Sequence, residues 1–280
     1  MAVQPLRRGR LLLDCIGHAG LALRWLTIAA LLGLVACSGA PTRSDKSDLV
    51  TASDETESRK RARIRLELGL NYFNEGKTTI ALDEIKQSIA VDSSLYEAHS
   101  LRGLIYMRLN ELSLAEDSFR QALALNPKAA DVQHNYGLLL CQQGRMAAAG
   151  DMFGAALANP AYEDRAKTWM IQGLCQAKAG QLDAAEASLL KAYQVDPGNP
   201  VVAYNLGAQF YKRGEWAQAQ RYLARLNSSD LANAESLWLG AKVAHKLGDA
   251  QSLQVLERTL RQRFPSSRES LWMERRSFNE

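Results

Sequence analysis

Few side chains of this 280-residue chain have the type and spacing that catalysis or metal binding requires. Beyond residue 36 the histidines are His99, His134 and His245, which are too dispersed for an obvious metal triad. The sequence contains no HExxH, CxxC, glycine-rich phosphate loop or nucleophile elbow. We therefore predict no catalytic residue, no metal site, no cofactor and no small-molecule substrate.

Cys37 is the cysteine whose surroundings predict a covalent modification. It follows four arginines and a 12-residue apolar run that begins at Trp25. Such a run is too short to span a bilayer stably but is typical of a signal peptide. The junction Leu34-Val35-Ala36-Cys37 resembles the lipobox of bacterial lipoproteins, which implies cleavage after residue 36 and acyl chains that bind Cys37 to a membrane. The alternative is an ordinary secretory signal in which Cys37 is incidental.

The composition argues against nucleic acid as a partner. Of 34 basic and 30 acidic side chains, 30 and 29 remain once the four arginines and Asp14 of residues 1–36 are removed. A net charge near +1 provides no basic surface for a phosphate backbone. Residues 37–61 are rich in Ser, Thr, Asp and Lys and nearly devoid of apolar side chains, so we predict a flexible tether there.

From residue 62 onward the chain repeats with a period near 34 residues. If each repeat begins seven residues before its first glycine, position 8 is always glycine: Gly69, Gly103, Gly137, Gly173, Gly207 and Gly240. Position 20 is alanine in five repeats and Ser252 in the sixth, and position 24 is always large and apolar. A second series of Gly or Asn residues follows near position 15.

This pattern predicts an all-α fold, a superhelical solenoid of six helical hairpins, and it resembles the tetratricopeptide repeat. The small residues at positions 8 and 20 let two helices approach closely, and Gly or Asn near position 15 turns the chain between them. A hairpin cannot bury its apolar face alone, so neighbours must stack. The predicted repeats cover residues 62–95, 96–129, 130–163, 166–199, 200–232 and 233–265, and residues 266–280 form a cap or tail.

Cys141 and Cys175 are the other two cysteines beyond the signal region. They lie 34 residues apart in the first helices of successive repeats, so neighbouring helices could bring them together. An exported protein can keep a disulfide. Both could equally be small buried core residues.

The resemblance to the tetratricopeptide repeat implies that the first helices line the concave surface, chiefly through positions 2, 5, 9, 12 and 13. Near the N-terminal end this places an apolar strip that could hold a partner segment, formed by Leu66, Leu70, Phe73, Leu104 and Met107. The alternative is that this strip belongs to the core or packs against the chain's own N-terminal segment. A second candidate face comprises Val201, Tyr204, Tyr211 and Lys212, as binding anchors or as inter-repeat packing.

Several stretches resemble the type IV pilus biogenesis lipoproteins called PilF or PilW. They include residues 134–145 (HNYGLLLCQQGR), 159–162 (NPAY), 173–175 (GLC), 222–225 (YLAR), 237–239 (LWL) and 264–267 (FPSS). This resemblance implies an outer-membrane lipoprotein that faces the periplasm of a Gram-negative cell. It also implies a pilotin role, in which the protein helps the outer-membrane secretin of the type IV pilus to localise and multimerise.

Two other functions are compatible with the sequence. The chain could be a general periplasmic adaptor lipoprotein that scaffolds cell-wall enzymes or another envelope complex, because repeat arrays share a scaffold and not a partner. An enzyme hidden in the solenoid is the third hypothesis, and no motif supports it.

Overall fold

The computed structural model describes residues 55–278, and the predicted signal peptide, Cys37 and most of the predicted tether lie outside them. The described residues form thirteen α-helices and no strand. In chain order these are α1 (Glu57–Asn74), α2 (Thr78–Val91), α3 (Tyr96–Arg108), α4 (Leu112–Leu125), α5 (Ala130–Gln142), α6 (Met146–Ala158), α7 (Arg165–Lys178), α8 (Leu182–Val195), α9 (Pro200–Lys212), α10 (Trp216–Asn227), α11 (Ala234–Leu247), α12 (Ala250–Arg263) and α13 (Arg268–Glu274).

Helices α1 to α12 pair as six successive hairpins, which confirms the predicted solenoid fold. The chain turns within each hairpin at a residue with positive φ, and five of these six residues are glycine. The sixth is Asn110, at φ 62°, which is the residue type best suited to the left-handed region after glycine. The predicted turn positions are therefore confirmed.

Glycine at position 8 permits the close approach of the two helices of a hairpin. A Cβ atom built on Gly103 would lie 2.6 Å from the ring of Phe119, and one on Gly137 would lie 2.7 Å from the ring of Phe153. Both phenylalanines are fully buried, so neither ring has room to move aside. The alanines at position 20 are likewise buried in the first five hairpins.

The first helix begins earlier than the sequence pattern predicts. Helix α1 starts at Glu57 because the Thr56 hydroxyl accepts a hydrogen bond from the Arg59 backbone N–H at 3.2 Å and caps the helix. Residues 57–61, assigned to the tether in the sequence analysis, are therefore helical.

The C-terminal residues form a short helix that covers the end of the solenoid. Helix α13 packs against α11 and α12. Its Met273 is fully buried, and the Phe278 ring beyond it stacks on Trp238 at 5.4 Å between centroids. The apolar core of the sixth hairpin thus continues into a cap supplied by the same chain.

First helices of neighbouring hairpins contact one another, as α1 does with α3 and α3 with α5, whereas second helices stay farther apart. The side of the solenoid formed by α1, α3, α5, α7, α9 and α11 is therefore its inner side, called here the first-helix surface. None of the helices within residues 55–278 is long and apolar enough to cross a bilayer.

Candidate partner-binding surfaces

Leu70 is the most accessible member of the predicted N-terminal strip. It lies on α1 with 45% of its surface exposed. Leu66, one turn earlier, is half-buried and packs against two clusters, one with Ala81 and Ile85 and one around Leu95. Part of the strip therefore belongs to the core, as the alternative interpretation held.

Phe73 lies beneath an arginine of the next hairpin. The guanidinium carbon of Arg108 is 3.5 Å from the centre of the Phe73 ring, and Nη1 of Arg108 donates a hydrogen bond to the Phe73 carbonyl oxygen. A guanidinium stacked on an aromatic face is attracted by the π-electrons of the ring. The surface next to Leu70 is thus cationic and aromatic as well as aliphatic.

Leu104 and Met107 on α3 are half-buried and connect the first three hairpins. Leu104 contacts the buried clusters on both sides of it, and Met107 packs against the cluster that contains Phe119. Their inward packing leaves Leu70 as the exposed member of the strip, and the exposed Arg108 lies over the half-buried ring of Phe73.

Two exposed aliphatic residues of α1 were missed by the sequence analysis. Ile64 occupies position 3 of its repeat and is 58% exposed, whereas position 3 is buried in the next four repeats, at Ala98, Val132, Thr168 and Val202. Leu68, one turn later, is also exposed. In those later repeats this helix face packs against the preceding hairpin, as Tyr136 does against Phe119. Among the described residues the first repeat has no preceding hairpin to cover this helix face, so its apolar side chains at Ile64 and Leu68 could have been identified from the sequence as exposed.

The second predicted face mixes exposed and half-buried side chains. Val201 and Lys212 are exposed, whereas Tyr204 and Tyr211 are half-buried. Burial raises the pKa of both tyrosines, and the charges of Glu235 and Glu269 raise that of Tyr204 further.

Tyr204 lines a cavity of about 240 Å³ that the sequence analysis did not find. Trp238 and Lys242 of α11 and Trp272 of α13 also line it. The Lys242 ammonium lies 5.4 Å from the centre of the Tyr211 ring and 5.9 Å from that of Trp238, and burial lowers the pKa of Lys242. The docking of α13 onto α11 forms this aromatic cavity, and repeat spacing gives no signal for that contact.

Cys141 and Cys175 form a disulfide that joins α5 to α7, with their Cα atoms 5.9 Å apart. About two helical turns earlier on the same two helices, Nδ1 of His134 lies 2.7 Å from the Thr168 hydroxyl, which lies 2.8 Å from the Tyr162 hydroxyl. Burial lowers the pKa of His134 to about 4, and the nearby Lys167 charge adds to this effect while Asp164 opposes it. The third and fourth hairpins are therefore connected covalently and by a buried polar contact.

Glu116 connects the second and third hairpins. Its carboxylate accepts hydrogen bonds from Tyr136 at 3.0 Å, from Gln143 at 3.3 Å and from Arg145 at 2.8 Å. Burial alone would raise the pKa of Glu116, but the hydrogen bonds from these three side chains outweigh burial and lower it. The Glu116 carboxylate therefore holds the two hairpins together through these hydrogen bonds.

The remaining histidines lie in separate environments. His99 Nε2 lies 3.0 Å from the Ser93 carbonyl oxygen, and the His245 ring stacks on Phe278 at 4.2 Å between centroids. Within residues 55–278 no three His, Cys, Asp or Glu side chains are grouped so that they could hold a metal ion. The surfaces described above are suited to contact with another polypeptide.

Comparison with known proteins identifies the repeats and two related proteins, PilF and PilW. Tetratricopeptide repeat models match residues 96–129, 137–200 and 176–241. The type IV pilus assembly protein PilF of Pseudomonas aeruginosa is 27% identical over 243 residues, which cover 86% of this chain and 95% of PilF.

Two solved structures have the same fold over most of their length. One is the crystal structure of PilW, described as a widely conserved type IV pilus biogenesis factor: it is 31% identical with a TM-score of 0.65, and the match covers 75% of this chain and 96% of that one. The other is a structure of Pseudomonas aeruginosa PilF, 24% identical with a TM-score of 0.69, with 79% of this chain and all of that chain covered.

Proposed function

The chain belongs to the family of tetratricopeptide-repeat proteins that includes PilW and PilF, and on this premise we propose that it is a lipid-anchored pilotin of the type IV pilus system. In this role it binds the outer-membrane secretin of that system and promotes its localisation and multimerisation. The activity is protein binding, without catalysis and without a cofactor.

The observation that carries this proposal is the accessible part of the N-terminal strip. Leu70 is exposed on α1 at i,i+3 spacing from Phe73, whose ring lies under the Arg108 guanidinium. An aliphatic side chain next to a cation on an aromatic ring suits a segment with apolar and acidic residues. A solenoid presents such a surface on a rigid scaffold, so little ordering entropy is lost on its side of the complex.

The anchor proposed at Cys37 supports the same role. Acyl chains at Cys37 would hold the protein at the inner face of the outer membrane, and a tether of some twenty residues would separate that anchor from α1. Confinement to the membrane of the secretin raises the effective concentration of each partner for the other without any new contact.

The test uses a bacterium that normally makes type IV pili and from which the gene for this protein has been deleted. Variants are returned to this strain by complementation. We expect Leu70→Asp to lower the amount of secretin multimer, because a hot-spot loss of about 2 kcal/mol corresponds to roughly 30-fold weaker binding. Leu114→Asp is the matched control, since Leu114 on α4 is also 45% exposed but lies on a second helix. Secretin multimers are measured in envelope fractions, and circular dichroism checks that both variants stay helical.

Equal multimer levels in the two variants would remove the Leu70 surface from the proposal. If the deletion itself left multimers and twitching unchanged and disturbed cell-wall turnover instead, the general periplasmic adaptor would replace the pilotin. A Cys37→Ala arm tests the anchor in the same strains, because the unlipidated protein should leave the outer-membrane fraction.

A further inference from the structure

The sixth hairpin is less tightly closed than the other five. Its position-24 side chain, Leu256, is half-buried, whereas the equivalent residues of the other hairpins are almost fully buried. A Cβ atom built on Gly240 would first meet the side-chain amide of Asn227 and would lie 3.4 Å from Leu256. On Gly173 of the fourth hairpin the same atom would lie 2.8 Å from Leu189.

A groove of about 280 Å³ lies where the sixth hairpin is open. Helices α10 and α12 form its walls, and Gly240 and Ala244 of α11 form its floor. Trp238 and Lys242, which line the aromatic cavity, precede these floor residues by two positions, or about 200° around the helix. The groove therefore lies on the opposite face of α11 from that cavity, away from the first-helix surface.

The groove is lined by uncharged side chains. Leu223, Leu256 and the 55%-exposed Val255 provide apolar contacts. The carboxamides of Gln220, Asn227 and Gln251 and two serine hydroxyls provide hydrogen-bond donors and acceptors. A charged ligand group would lose hydration here without meeting an opposite charge, so an uncharged ligand fits this lining.

Asn227 has an unmet hydrogen-bonding requirement. Its Nδ2 donates to the Ser236 carbonyl oxygen at 3.0 Å, while its Oδ1 is buried with no hydrogen-bond partner among the described residues. A buried acceptor without a donor is costly, so an N–H group brought into the groove would be favourable after a small side-chain movement. Extended peptide main chain carries free N–H and C=O groups, whereas a helix has already paired most of its own.

We propose that this groove binds an extended, uncharged peptide segment of a partner protein. One aliphatic side chain of the segment packs against Val255 and Leu256, and its main chain bonds the carboxamides of Asn227 and Gln251. This site is separate from the secretin surface proposed at Leu70, so one molecule could hold two partners at once.

A capped tripeptide, N-acetyl-Gly-Leu-Gly-amide, titrated into the purified ¹⁵N-labelled full chain tests this site by NMR. We expect saturable shifts of the Asn227 and Gln251 side-chain amide signals and of the Ala244 backbone amide. N-acetyl-Gly-Glu-Gly-amide should bind at least about tenfold more weakly, because its carboxylate would be buried unpaired.

Val255→Asp should weaken binding of the leucine peptide by a similar factor. Val195→Asp is its control, because Val195 is 57% exposed at the end of α8 and outside the groove. Ser252→Leu, which fills the groove, provides a second variant with the same expected loss. Equal binding of the two peptides, shifts spread evenly over the surface, or full affinity in Val255→Asp would overturn the proposal.

Discussion

The junction of the third and fourth hairpins and the sixth hairpin are built from the same repeat pattern but differ in how tightly they close. At the junction a disulfide joins Cys141 to Cys175, and His134 contacts Thr168 across the two hairpins. In the sixth hairpin Ser252 replaces the position-20 alanine, and Leu256 is left half-buried beside a groove.

The difference shows what the small residue at position 20 contributes. A buried alanine such as Ala185 lets the facing helix approach and brings the position-24 side chain against glycine. At this position of the sixth hairpin the Ser252 side chain is half-buried and hydrogen-bonds Asp249, whose pKa this bond lowers. The repeat motif thus sets the fold, and the departure at Ser252 accompanies a less tightly closed hairpin with a groove beside it.

The largest expected effect comes from truncating leucine at position 24 in both regions. We expect Leu189→Ala to lower the free energy of unfolding by about 4 kcal/mol, because Leu189 is fully buried against Gly173. Leu256→Ala should cost only about 1 kcal/mol, because this side chain already contacts solvent and leaves little new cavity. Urea unfolding followed by circular dichroism measures both values.

The ratio of the two losses is the informative quantity. Similar losses for Leu189→Ala and Leu256→Ala would mean that the sixth hairpin is as closed as the fourth and would contradict the comparison. An altered slope of unfolding free energy against urea in only one variant would show that the solenoid does not unfold as one unit.

The pH dependence of stability sharpens the same comparison, with a smaller expected effect. His134 has a folded-state pKa of about 4 against an ordinary value of 6.5, so the unfolded chain binds the proton more strongly. Stability from the neutral, buried ring is fully present above pH 6.5 and is lost as the pH falls toward 4. Between pH 7 and pH 5 we expect a loss of about 2 kcal/mol.

His134→Asn should flatten this part of the pH profile, because it removes the titrating group from the junction. The window above pH 5 avoids Asp92 and Glu116, whose pKa values are lowered and whose stabilisation is lost only at more acidic pH. A variant that keeps the full slope would show that His134 is not the group responsible. The measurement is the free energy of unfolding at each pH for both proteins.

The sequence predicted the repeat architecture because helix packing at fixed spacing leaves a periodic signature. Glycine at position 8, alanine at position 20 and the turn residue near position 15 are each required by backbone geometry. Even Asn110 could be assigned as a turn residue before its positive φ was observed. Pro127 and Pro197 lie just beyond the ends of α4 and α8, because proline does not continue a helix.

The depth of individual side chains could not be predicted in the same way. Leu66 and Leu104 have the register of surface positions but pack against clusters contributed by adjacent helices. The Arg108 contact with Phe73 joins residues 35 positions apart and depends on how two hairpins stack. The aromatic cavity at Trp238 requires α13, which lies outside the repeat, so the periodicity carries no information about it.

The most direct test of the central claim, that the first-helix surface near Leu70 holds the partner, is site-specific photo-crosslinking in cells assembling type IV pili. Benzoylphenylalanine replaces Leu70 in one strain and the equally exposed Leu114 in another. We predict a crosslink to the pilus secretin from position 70 and none from position 114. Secretin captured equally from both positions, or from neither while pili assemble normally, would contradict the account.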